Sequence, residues 1–151
     1  MTQEDKELLL KDLCVRLPYG VVADCVGEYV KIKYVDPYSG MLYISRYTRT
    51  KWETVEVIKP YLRPLFSMTE EEKKELLNLL FDKEAKYFYI DEEGFIDGKI
   101  SDLMKEGLNY PSFCPINIEL YTDFLLSHHF DYRGLIEKGL ALEAPEGMYE
   151  Y

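Results

Sequence analysis

The spacing of apolar residues changes at Pro18 from a period of about 3.6 to one of 2, and the shorter period persists to Ile58. That switch dictates an α+β fold, because the longer period seals one stripe of a helix and the shorter one seals one face of a strand. Before it, Leu9, Leu10, Leu13 and Leu17 recur at helical spacing, Thr2 is placed to cap the helix and Asp5 to return the bond. Pro18 and Gly20 stop the helix. After it, β-branched and aromatic residues predict four strands near residues 21–26, 29–35, 41–47 and 52–58, with connections of hairpin length. Simple alternation in the second strand puts Val30, Ile32 and Tyr34 on a core face and Tyr29, Lys31, Lys33 and Val35 on a wet one.

Four short antiparallel strands with open edges are expected to form a small SH3-like or related barrel or a curled sheet, closed by a later strand at 86–90. Pro60 and Pro64 would make residues 59–65 a short 3₁₀ turn leaving it. The rest reads as mainly helical. Thr69 and Glu72 form a full capping box, and Leu76, Leu77, Leu80 and Phe81 supply the buried stripe behind it. A turn at 91–94, a strand at 95–100, a short helix begun by Ser101 and a helix over 115–130 follow, with a loosely held tail.

Charge divides the chain. Up to Phe66 there are ten basic and nine acidic residues; beyond it there are eight and nineteen, within a net charge of −10. This asymmetry suggests a helix-plus-barrel module over 1–66 and an acidic helical half over 67–151 packed on it as one compact unit. The start of the chain lacks a basic and then apolar leader, and no apolar run approaches a membrane span, so a cytoplasmic protein without a membrane partner is expected. Cys14, Cys25 and Cys114 form no CxxC pair, as suits buried thiols in a reducing compartment.

Catalytic signatures are missing from the sequence: it has no GxSxG, Walker loop, GxGxxG or HExxH. The one tempting cluster is His128, His129, Asp131, Tyr132 and Arg133. Adjacent helical residues diverge by about 100°, whereas histidines sharing an ion on one helix stand four apart, so neither metal nor cofactor is expected. The plainer reading turns His128 inward and His129 outward and pairs Asp131 with Arg133. The sharper one makes His129, Asp131 and Arg133 a secondary binding patch.

Residues 29–63 hold seven basic side chains against three acidic ones, interleaved with Tyr29, Tyr34, Tyr38, Tyr43, Tyr47, Trp52 and Tyr61. Lys31, Lys33, Tyr43, Tyr47, Arg49, Lys51 and Trp52 are therefore candidate contacts. Rings at the centre of an interface, in a groove between the loops at 36–40 and 48–51, suit a protein partner. Cations tracking phosphates beside stacking rings suit single-stranded nucleic acid. The plain explanation is that aromatic residues form strands well and that edge lysines prevent sheet-to-sheet pairing. Glu70, Glu71 and Glu75 offer a separate acidic docking helix for a basic protein.

The strings YLRPL and SMTEEE (61–65 and 67–72) and SHHFDYRGLIEKGLALEAPEGMY (127–149) resemble a family of small uncharacterised proteins encoded by gut bacteria and their phages. The likeness covers the opening helix with LPYGV, the capped helix and the C-terminal third. It implies a mobile-element setting, in which small binders of host proteins are common. The expectation is thus a non-catalytic module that binds a host protein, ahead of a single-strand binder and, third, a small enzyme.

Overall fold

The computed structural model describes residues 1–99, 105 and 116–149. They form two compact units, one of Met1–Arg63 with Leu126–Tyr151, the other of Pro64–Leu125. Cys114, the short helix expected after Ser101 and the expected helix start at Pro115 lie outside the described residues.

The first unit opens with α1 (Gln3–Arg16), capped reciprocally as its sequence dictates: Thr2 Oγ1 accepts from Asp5 N at 3.1 Å and Asp5 Oδ2 from Thr2 N at 3.4 Å. Leu9, Leu10 and Leu13 are buried in the core, each contributing about 1.5–3 kcal/mol. Then come β1 (Val21–Cys25), β2 (Glu28–Asp36), β3 (Met41–Arg46), β4 (Arg49–Thr54) and β5 (Ile58–Leu62), with β8 (Leu142–Glu143) from the C-terminal segment. The strand order is β4-β3-β2-β1-β5-β8, antiparallel except that β5 and β8 run parallel.

This mixed sheet is open, with β4 and β8 at its edges, so the expected SH3-like barrel or curled sheet does not form. The side of β1 needed for closure is occupied by β5. The residues expected to close the barrel instead form β6 (Phe88–Ile90), which pairs with β7 (Ile96–Gly98) in a separate ribbon. The 59–65 segment is likewise mostly strand, with a 3₁₀ turn only at Leu65–Ser67. Pro60 is tolerated because β8 pairs with Tyr61 and Leu62 only, leaving no rung on that side that needs the missing N–H. The strand expected over 52–58 is broken by a 3₁₀ turn at Val55–Val57.

One irregularity decides which side chains face outward. The β2–β3 register shifts between Ile32 and Tyr34, so Lys33 and Tyr34 are both exposed and Val35 is buried. A bulge changes the phase of alternation, which therefore misassigns Tyr34 and Val35. Val30, Ile32, Val35, Leu42 and Ile44 share one apolar cluster with the α1 leucines, leaving the opposite face uncovered by α1.

In the β2–β3 turn, Asp36 accepts from Tyr38 N at 3.0 Å and from Ser39 Oγ at 2.6 Å. Gly40 closes it at φ +73, where a Cβ would come within 2.8 Å of the Lys6 side chain.

In the second unit, α2 (Glu70–Phe81) carries the expected capping box, with Thr69 N donating to Glu72 Oε2 at 2.9 Å and Glu72 N to Thr69 Oγ1 at 3.2 Å. Phe81 stacks on Phe88 at 3.9 Å between centroids. Asp91 organises the turn between β6 and β7 by accepting from Glu93 N and Phe95 N, both at 2.9 Å. α3 (Ile118–Ser127) begins in this unit, and its last two residues belong to the first. Among the described residues no helix is long and apolar enough to cross a membrane.

Candidate functional site

Alternation places Tyr29, Lys31, Tyr43, Ser45, Trp52 and Tyr61 on the outer face, and the β2 bulge adds Tyr34. Trp52 stands opposite Tyr43 on the neighbouring strand with ring centroids 5.2 Å apart, and meets Tyr34 edge to face at 6.0 Å. Tyr29 and Tyr61 make a second pair at 5.3 Å. These geometries are favourable for aromatic pairs, and they hold the rings in place while Tyr29 remains 62 % and Trp52 49 % exposed. Burial, then the charge of Asp24, raises the Tyr61 hydroxyl above its ordinary pKa.

Lys31 and Lys33 line a groove with Tyr29 and Tyr47 on one side and Tyr149 on the other. Among the described residues neither has an ion-pair partner, whereas Arg46 is paired with Glu28 and Lys51 with Glu53 at 2.6 Å. The hydrogen bond from Lys51 to Glu53, reinforced by the carboxylate charge, raises the ammonium pKa.

The structure does not gather all the candidate cations. Lys51 stands opposite buried Ile44 and Arg49 opposite Arg46, so both side chains have the phase of the inner face, away from Trp52. Tyr47 sits at the β3–β4 hairpin tip with φ +50 and is 96 % exposed. The loops at 36–40 and 48–51 do not face each other across one groove, because successive turns of a meander fall at opposite ends of β3. Six residues of strand separate them by roughly 20 Å. Glu70, Glu71 and Glu75 are exposed on α2, where Glu70 pairs with Lys73 at 3.0 Å.

The histidine cluster is inverted relative to its plain sequence reading. His129 is buried, 4 % exposed, at φ +60 and stacked on Tyr149 at 3.6 Å, whereas His128 is half-buried with Nδ1 3.1 Å from Ser127 Oγ. Burial, with Arg16, His128 and Arg63 nearby, pushes the His129 pKa down to about 4. Asp131 accepts from Leu135 N at 2.9 Å and Ile136 N at 2.8 Å, capping the turn that leads to β8. Arg133 does not turn back to Asp131 but reaches Asp12 at 3.1 Å. His129, Asp131 and Arg133 therefore serve three separate contacts, with His129 and Asp131 buried rather than displayed.

Two features escape the sequence reading. Asp12 and Arg16 are fully buried and joined at 2.6 Å, with Arg16 also donating to the Phe130 carbonyl at 2.7 Å. Their i,i+4 spacing beside Leu9 and Leu13 carries a readable signal: a charge pair on the apolar stripe. The second is Tyr149, expected in a loose tail, whose hydroxyl donates to Tyr61 O at 2.9 Å and accepts from Val22 N at 3.3 Å. No local pattern announces a contact 127 residues long.

Among the described residues, no three His, Cys, Asp or Glu side chains converge as a metal-ligand set. Burial raises the free thiols Cys14 and Cys25 above their ordinary pKa.

No family model, curated protein or solved structure matches this chain.

Proposed function

We propose that the protein is a non-catalytic binding module that docks on a protein partner through the outer face of its sheet, in the mobile-element setting that its resemblance to phage-encoded proteins implies. The supporting observation is the row Tyr34–Trp52–Tyr43, three rings held against one another on strands, with Tyr34 and Trp52 exposed and Tyr43 half-buried. Rings already ordered before binding lose little entropy on docking, which is why aromatic side chains concentrate interface energy. Single-stranded nucleic acid is the second reading, favoured by the unpaired Lys31 and Lys33 and opposed by the net charge of −10.

The test is capture from host lysate with and without nuclease, using the native chain, Tyr34→Ala/Trp52→Ala and a triple reversal of Glu70, Glu71 and Glu75 to Lys. A protein that survives nuclease and is lost with the aromatic double variant is the expected result. Loss confined to the triple reversal would move the interface to α2, and loss on nuclease treatment would favour nucleic acid.

A further inference from the structure

Three shallow cavities on and beside the outer face adjoin one another. One of about 510 Å³ has Val22, Lys31, Lys33, Ser127 and Tyr149 among its walls. A second of about 400 Å³ shares Val22, Lys31 and Lys33 with it and continues to Tyr29, Ser45 and Tyr47. A third of about 460 Å³ shares Tyr29 and Tyr47 with the second and ends at Gly27 and the Glu28–Arg46 ion pair. Together they make a groove that follows β2 from Lys33 back to Gly27.

We infer that this groove holds an extended acidic peptide segment of the partner, with two of its carboxylates on Lys31 and Lys33. The inference rests on the protein-partner reading and names the chemistry of that partner. The stretch of β2 beneath the groove is roughly 20 Å long, the reach of about six residues of extended chain. Lys31 and Lys33 are two residues apart, about 6.6 Å along a regular strand and close to the spacing of carboxylates two residues apart in an extended peptide, and the bulge at Lys33 leaves both lysines on the groove. Both ammonium groups lack an ion-pair partner among the described residues, so an incoming carboxylate breaks no existing pair. Val22, opposite Lys31, and the Tyr29 ring, two residues back along β2, supply apolar contact beside the charges.

The net charge of −10 penalises any anionic ligand, and a peptide with two carboxylates suffers that penalty less than a nucleic-acid strand does. A nucleic-acid strand carries one phosphate per nucleotide, and the groove answers with two free cations, since Arg46 at its far end is held by Glu28. A peptide with just two acidic residues, two positions apart, asks for no more than that.

The test is fluorescence anisotropy of the full chain with three labelled probes: an eight-residue peptide of Ser and Val with Glu at its fourth and sixth positions, its Gln counterpart, and a ten-residue oligothymidylate. Saturable binding of the Glu peptide is expected, weaker by about tenfold or more for the Gln peptide and for Lys31→Gln/Lys33→Gln, and declining with salt. Equal binding of the two peptides, unchanged binding by the double variant, or no binding up to about 1 mM overturns the inference. So does an oligothymidylate that binds more tightly than the Glu peptide, and that outcome assigns the groove to nucleic acid. Capture from lysate separates this failure from that of the parent reading. A partner retained by Lys31→Gln/Lys33→Gln but lost with Tyr34→Ala/Trp52→Ala removes the acidic segment and keeps the face. A partner retained by both removes the face as well.

Discussion

Lys31 and Ile32 are neighbours on β2, yet Ile32 lies in one apolar cluster with Leu9 and Leu13 while Lys31 stands unpaired beside tyrosine rings on the other side of the sheet. The contrast extends to the buried charges. Arg16 is fully buried, bound to Asp12 and to the Phe130 carbonyl, and the same carboxylate receives Arg133. Cations in the interior are held by several partners, since an unpaired buried charge is costly. Those on the outer face are left to water, which costs little and keeps them available. Stability therefore belongs to one face and availability to the other.

Three tests probe this division. Asp12→Ala is expected to cost about 3–5 kcal/mol, because it strands a fully buried guanidinium. Urea unfolding measures it, and a loss under about 1 kcal/mol would mean that water reaches Arg16 and that the interior is less closed than described. Ile32→Ala should cost about 2–5 kcal/mol by leaving a cavity. Its neighbour Lys31→Gln should change stability by less than about 0.5 kcal/mol. Similar losses for the two would erase the distinction between the faces.

The third concerns acid. His129 folds with its imidazole neutral, its pKa pushed down to about 4 by burial and by the cations around it. In the unfolded chain the ring takes up a proton near pH 6.5, so the unfolded state binds more protons between those values. The stability this group contributes is complete above about pH 6.5 and is lost as pH falls toward 4, on the order of 3 kcal/mol. His129→Asn, with a side chain that tolerates φ +60, should flatten that decline between pH 7 and 4.5. An unchanged pH slope would show that other groups account for acid sensitivity.

Much of the secondary structure was legible because it is written locally. Both capping boxes, the leucines of α1 and the first three strands follow from side chains within a few residues of one another. The aromatic and basic character of 29–63 was readable too, but only in part as a site. Alternation sends Lys31 and Trp52 outward, whereas Lys51 and Arg49 have the opposite phase once β4 takes its register on β3. Tyr34 joins the outer face only because of a bulge that composition does not announce.

By itself, then, the sequence determined where helices start, which segments alternate, and that cations and rings would be concentrated on the strands of the first 66 residues. Tertiary structure alone decided that the sheet stays open, that β8 and Tyr149 return to it from the far end of the chain, and that Asp12, Arg16 and Arg133 meet in the interior. The physical reason is the range of the interactions. Caps, turns and periodicity act over a few residues, whereas strand order and buried ion pairs depend on which distant surfaces compete for the same edge or the same charge.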